Sequence, residues 1–333
     1  MIVDCRLKTD GKAENSGSGR KAQGVRCKEL SEHSRLKAES STSIQHSASS
    51  IQYPRLKSGI FDQHPVSSIQ YPAKRRVVKL PFVISVPHCS GRIPEGIRAD
   101  FVLSNDEIAD SIDLGTSEIF GTLDAGDVLC SEWSRLVVDL NRDPARRDHK
   151  GVIARIDYFG RAIYHANAVP DEKEILDRLL ECYWPYHNRL REVLARPHIK
   201  GMIDCHSVSG IGPSEAPDAG KKRKDIILSN NGDHMGKMTP ALGKTTCPSE
   251  LLNLMKQVFL RAGFSVSINN PYTAGFISTH YAGAFADREK FAVQIEINQD
   301  LYAGPGTGKI SPGRLADVRS KVCRCLVEIA EMI

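Results

Sequence analysis

GMIDC at Gly201–Cys205, ending at His206, and FAVQIEI at Phe291–Ile297 are the stretches that decide the architecture. Each is a nearly continuous apolar run whose polar residues gather toward its C-terminal end. Such runs suit strands covered on both faces, as in a sheet sandwiched between helices. VVKLPFVISVPH (Val77–His88) has the same character and ends at a histidine followed by Gly91 and Pro94. RLVVDL (Arg135–Leu140) reads as a short strand entering the polar turn NRDP, and Asp225–Ser229 as another. Helical signals lie between them. Asn105–Leu123 places Ile108, Ile112, Ile119 and Phe120 near helical spacing. Asp171 caps a stretch striped by Ile175, Leu179, Tyr183, Tyr186, Leu190 and Leu194, which Pro185 should kink. Helices at Ser249–Ala262 and Pro312–Met332 complete the alternation. Residues 80–333 are therefore expected to form one α/β domain, a mixed, mostly parallel sheet with helices on both faces.

The segment in front has another character. Residues 1–76 hold 13 serines, few aromatics and no sustained periodicity, which is the composition of disorder. SSIQYP at Ser49–Pro54 recurs at Ser67–Pro72, a repeat too short and too polar to stack into a solenoid. The segment reads as a solvated basic extension, or as the product of a start codon placed too far upstream; a targeting arm or docking tail is the functional alternative. Residues 1–80 carry 15 Lys/Arg against 7 Asp/Glu, a balance of +8, so the remainder of the chain is −3 and the net +5 owes its sign to the front segment. The basic balance therefore does not make the main domain a nucleic-acid binder. No apolar run approaches the ~20 residues of a membrane span. Nine dispersed cysteines, an odd number with no CxxC pair, argue against a disulfide framework and for a reducing, cytoplasmic setting.

In open α/β sheets ligands bind outside the carboxyl ends of the strands. His88, Asn141, Arg142, His206 and Glu296 all fall at such ends. His88 and His206 are candidate metal ligands, or satisfied strand-end histidines. Asp204 shares a strand face with His206 and could orient its ring. Arg135, Asn141 and Arg142 could bind a carboxylate, or form salt bridges with Asp139, Asp143 and Asp148. Glu296 lies in an apolar strand, where burial raises a carboxyl pKa toward that of a general base; an inward charge on an edge strand is the alternative. Ser90 and Ser207 lack a G-x-S-x-G elbow. The KKRK run at Lys221–Lys224 reads as a solvated loop, and Cys89 and Cys205 as small buried packers.

Five motifs occur in order: PHCSG (Pro87–Gly91), SRLVVDLNRDP (Ser134–Pro144), DCHS (Asp204–Ser207), NNPYTAGFISTHY (Asn269–Tyr281) and QIEINQDLY (Gln294–Tyr302). Together they resemble the N-formylglutamate amidohydrolase family over roughly 80–305, a family similar in fold to the zinc carboxypeptidases and aspartoacylase. The resemblance implies hydrolysis of an N-acyl acidic amino acid, N-formyl-L-glutamate first, giving formate and L-glutamate. It implies zinc, or another divalent ion, held by His88, His206 and a carboxylate. Asn141, Arg142 and Tyr272 would bind the small-molecule substrate, Arg135 would stabilise the oxyanion, and Glu296 would act as general base and acid. Relatives of the fold take their carboxylate ligand from an H-x-x-E pair, but Gly91 stands at that place here. Asp113 aligns best with an acidic position of the family, and Glu95 is the alternative. Two further departures are Ala274, where the family has a glycine pair, and Asn231–Gly232–Asp233, where it has G-D. Rival readings are a zinc hydrolase for another N-acyl amino acid and a metal-free carboxylate-binding regulator.

Overall fold

A computed structural model describes residues 80–333 apart from 122, 124, 286–288 and 305–307. The expectations for residues 1–76 lie outside the described residues. Six strands form one sheet: β1 (Leu80–Val86), β2 (Ala125–Cys130), β3 (Gly201–Val208), β4 (Ile226–Ser229), β5 (Val266–Ile268) and β6 (Phe291–Asn298). Their order is β2-β1-β3-β6-β4-β5, and four of the five pairings are parallel. The exception is β4 against β6, which is antiparallel. This is the mixed, mostly parallel sheet expected of the chain.

Side chains alternate across a strand, so each strand shows the two faces of the sheet different residues. Phe82, Ile84 and Val86 of β1, Ile203 and Cys205 of β3, and Val293, Ile295 and Ile297 of β6 make one face apolar as far as Ser207, near the end of β3. It is covered by α3 (Thr116–Phe120), α6 (Ser249–Arg261) and α8 (Pro312–Met332), through Ile119, Phe120, Met255, Phe259, Val322 and Leu326 among others. The opposite face is divided along its length. Val83, Met202 and Ala292 are apolar and pack with α5 (Trp184–Leu194) and α7 (Phe276–Ala284). Further along the same face come Ser85, Asp204, His206, Gln294 and Glu296, all buried. Covering both faces explains why the strands read as apolar runs, and the divided face explains where the polar residues fall.

Three local expectations need correction. Asn105–Leu123 is not one helix: α2 (Asn105–Ala109) and α3 are separated by an irregular stretch. Within it the Asp113 N–H donates to the His88 carbonyl at 2.9 Å, and Gly115 takes φ 78, where a side chain would strike the Tyr302 ring. Arg135–Leu140 is not a strand. Val137 N–H turns back to the Ser134 carbonyl at 2.9 Å, while Leu136, Val137, Val138 and Leu140 are buried; their apolar character reports burial and not extension. At Pro185 the disruption is taken up by a five-residue π turn, Leu179–Tyr183, joining α4 (Glu172–Arg178) to α5. As expected, Asp171 caps α4, in a reciprocal capping box with Glu174. Among the described residues no helix is long and apolar enough to cross a membrane.

Candidate active site

The divided face ends in a cluster built from five places in the chain. His88 lies two residues past β1, Asp113 in the break between α2 and α3, His206 on β3 and Glu296 on β6. Asp139 and Arg135 come from the buried turn that replaces the expected strand. His206 and Glu296 are register partners on adjacent strands, which fixes their side chains side by side on one face.

His88, Asp113 and His206 offer ligand atoms that lie within 4.8 Å of one another. Both imidazoles turn Nδ1 toward Asp113 Oδ2, at 2.8 Å from His206 and 3.5 Å from His88. Both turn Nε2 toward a buried carboxylate, His88 to Asp139 at 2.8 Å and His206 to Asp204 at 3.2 Å. Asp204 is itself held by the Ser85 hydroxyl at 2.8 Å. His88 Nδ1 is buried and makes no hydrogen bond. An orphaned ring nitrogen facing a second imidazole and a carboxylate, with each ring's far nitrogen fixed by an acid, is a donor set and orienting shell that could hold a divalent metal ion. The residues fit such an ion. Of the two acids considered for the third ligand, Asp113 stands with the histidines and Glu95 is exposed on α1 (Glu95–Arg98).

Electrostatics separate the carboxylates. Burial raises the Glu296 pKa to about 7, against the opposing pull of His206. Gln294 Nε2–H donates to Glu296 Oε1 at 2.7 Å, and Gln294 Oε1 accepts from the Gly275 N–H, so the carboxyl is held in place. Burial works against the Asp113 and Asp139 carboxylates as well, but their hydrogen bonds and the charges beside them outweigh it. His88 and His206 hold Asp113 below its ordinary value; Arg135, His88 and Arg142 hold Asp139 well below. Two acids stay ionised while Glu296 titrates near neutrality, a division of roles that suits proton transfer.

The cleft beside this cluster is lined by Ser111, Arg135, Asp139, Arg142, Lys150 and Tyr158. Arg135 donates to Asp139 Oδ2 at 2.8 Å and lies over the Tyr158 ring at 4.9 Å. Arg142 donates to the Tyr158 hydroxyl at 2.8 Å and has Asp139 no closer than 4.0 Å. Asn141 sits deeper. Its Oδ1 accepts from the Ile277 N–H at 2.8 Å and its Nδ2 lies 3.2 Å from His206 Nε2, so its amide braces His206 against the start of α7. Tyr272 is half-buried; its carbonyl accepts from Ser229 Oγ and its hydroxyl from Arg223.

Sequence reasoning missed part of this. Asp139 appears there only as a salt-bridge partner, yet it contacts His88, Arg135 and the Asn141 N–H; its i,i+4 spacing from Arg135 was the available signal. Gln294 could have been found from its spacing of two from Glu296. Tyr158, in an irregular segment, offered no signal. In the KKRK run three residues are exposed as expected, but Arg223 is buried. Cys205 packs in the apolar face as expected, whereas Cys89 is only half-buried.

Comparison with known proteins places this geometry. The chain is 25% identical to the N-formylglutamate deformylase of Pseudomonas aeruginosa, over 75% of this chain and 92% of that protein. It is 27% identical to the N-formylglutamate deformylase of Pseudomonas putida, over 67% and 82% respectively. The fold is similar to the crystal structure of N-formylglutamate amidohydrolase from Ralstonia eutropha, with a TM-score of 0.63 at 18% identity, covering 77% of this chain and 94% of that one. A gene product of Agrobacterium tumefaciens is similar too, with a TM-score of 0.57 at 20% identity over 76% and 92%. The family model described as N-formylglutamate amidohydrolase matches residues 80–303, which contain every residue of the cluster, and the chain belongs to that family.

Proposed function

We propose that the protein hydrolyses the amide of an N-acyl acidic amino acid, with N-formyl-L-glutamate, cleaved to formate and L-glutamate, as its leading substrate. The observation that carries this reading is Glu296, buried and titrating near 7, as register partner of a histidine in a two-histidine, one-carboxylate group. The names of the Pseudomonas relatives support the substrate. His88, Asp113 and His206 would hold the metal, zinc first among divalent ions, which when bound supplies a Lewis acid at the scissile amide.

The chain's own residues do the rest. Glu296, as carboxylate, takes a proton from the attacking water and returns it to the departing amine, with Gln294 fixing its orientation. Arg135, held by Asp139, offers its guanidinium to the oxygen that gains charge in the transition state. Arg142 spends its hydrogen bonds on a tyrosine hydroxyl and two carbonyls and makes none to a carboxylate, since Asp139, 4.0 Å away, is hydrogen-bonded by Arg135; its guanidinium is thus the one offered to a substrate carboxylate. Asn141 supports the site from behind, its amide packed against the His206 ring. The reading includes a cytoplasmic enzyme that acts without nucleic acid or membrane.

The test is release of the acyl acid by the purified chain: formate from N-formyl-L-glutamate and N-formyl-L-leucine, acetate from N-acetyl-L-glutamate. Preference for the formylated acidic substrate is the expected result. Preference for the acetylated substrate would keep the chemistry and overturn the acyl group; inertness toward all three would overturn the reading.

A further inference from the structure

Two guanidinium–tyrosine pairs lie beside the site. Arg142 donates to the Tyr158 hydroxyl at 2.8 Å, and Arg223 donates to the Tyr272 hydroxyl at 3.0 Å. The first pair has a place in the reaction above. Arg223 has none, although its side chain is only 2% exposed. A guanidinium buried this far must be matched. Asp218 matches it with a fork, Nε to Oδ2 at 2.8 Å and Nη2 to Oδ1 at 2.6 Å, and the Ser209 carbonyl accepts from Nη1 at 3.3 Å. Its remaining side-chain partner is the phenol of Tyr272.

That contact has a direction. A guanidinium has no lone pair, so Tyr272 is the acceptor, and a phenol that accepts keeps its one proton for another partner. Among the described residues no acceptor takes that proton. The ring is also placed. The Tyr272 carbonyl accepts from Ser229 Oγ at 2.6 Å, and Ser229 is the register partner of Gln294, two residues before Glu296. At the other end Asn298, two residues after Glu296, donates through Nδ2 to the Arg223 carbonyl at 3.3 Å. Tyr272 is thus anchored along β6 on either side of Glu296, and both Glu296 and Tyr158 lie within electrostatic range of its phenol. Burial raises the Tyr272 pKa, so the group remains a donor. Polarised by a guanidinium, its O–H is a stronger donor to an anion than to a neutral amide.

We propose that Arg223 is a positioning residue that makes Tyr272 a fixed hydrogen-bond donor to the second carboxylate of the substrate, the one that Arg142 does not take. The pair Arg223–Tyr272 thereby selects an acidic side chain; this rests on reading the site as that of an N-acyl amino acid hydrolase.

The test uses the metal-loaded full chain and two readouts: calorimetric binding of glutarate, a dicarboxylate with no bond to cleave, and formate release from N-formyl-L-glutamate and N-formyl-L-norvaline. The proteins are the wild type, Tyr272→Phe, Arg223→Gln and the double variant. Loss of a hydrogen bond to a charged group predicts that Tyr272→Phe weakens glutarate binding about 10- to 100-fold. Arg223→Gln should do the same, and the double variant should be no weaker than the weaker single one. The KM for N-formyl-L-glutamate should rise by the same factor at unchanged kcat, with the norvaline KM unmoved. Unchanged glutarate affinity in Tyr272→Phe, losses that multiply in the double variant, or a wild type that does not bind glutarate would overturn the proposal. Tyr272→Phe keeps the Arg223–Asp218 pair, so it decides alone if Arg223→Gln does not fold. Glutarate binding that depends on Tyr272, without formate release, would overturn the substrate reading and leave this inference standing. Formate release with unaffected variants would do the reverse.

Discussion

Glu296 has the best-defined place of any single residue in the chemistry, and it carries a cost. Its pKa of about 7, raised from 4.5 chiefly by burial, means that the folded chain resists its ionisation. A carboxyl whose folded pKa is raised lowers stability as pH increases from its ordinary value through the folded one. Between 4.5 and about 7 the penalty grows to roughly 3 kcal/mol at ~1.4 kcal/mol per unit, in protein without metal. Glu296→Gln removes the penalty, so in chelator this variant should melt higher than the wild type, with a gap that opens as pH rises over that window. The same variant should lose about 10²- to 10⁴-fold in kcat, the usual worth of general acid–base help. A Glu296→Gln protein that melts like the wild type at every pH, or that keeps its rate, would remove the base assignment. Gly275 supplies a second test at this scale. A Cβ there would run into the Asn141 amide, which braces His206. Gly275→Ala should therefore cut kcat at least tenfold through displacement of His206 (~1.4 kcal/mol per factor of ten), with far-ultraviolet circular dichroism unchanged. Activity equal to the wild type would show that the brace is dispensable. His88, His206 and Glu296 were legible as residues because strand ends in an α/β sheet are where ligands bind. Asp113 was not legible that way, since its position depends on a break in a helix that periodicity alone runs straight through.

Elements were legible where one physical requirement governs a whole segment. β3 and β6 declare themselves because burial on both faces demands apolar side chains at consecutive positions, and α8 because a long amphipathic stripe has no other use. The failures share a cause. Asn105–Leu123 keeps helical spacing on both sides of Gly115, so its pattern survives the interruption that brings Asp113 to His88. Arg135–Leu140 is buried on every side without being extended, and hydrophobicity cannot tell these apart. β5 is three residues long and α7 contains Gly, Thr and Ser, which leaves little pattern to read. Capping, by contrast, was readable and can be tested. Asp171→Ala removes one half of a reciprocal box with Glu174 and should cost about 0.5–2 kcal/mol in urea denaturation, with activity per folded molecule unchanged. A change in activity instead would mean that α4 is coupled to the site in a way its position does not explain.

At the level of the whole molecule the sheet sorts its chemistry by face and by end. One face is apolar along nearly all its length; the other is apolar where α5 and α7 cover it and polar where the strands run out, so a single fold supplies both a core and a site. Every residue of the cluster falls between 88 and 296, within the family match. Removing residues 1–76 should therefore leave kcat and KM unchanged, and a truncated chain that folds but loses activity would show that the basic segment takes part. The central claim is that His88, Asp113 and His206 form a metal centre that serves hydrolysis by Glu296. Its most direct test is metal content and formate release from N-formyl-L-glutamate, measured on one preparation before chelation, after it, and after zinc is returned. The account predicts about one ion per chain, activity that falls with the ion and recovers with it, and neither ion nor activity in His206→Ala. Turnover that persists in protein stripped of metal, or a chain that binds no divalent ion at all, would contradict it.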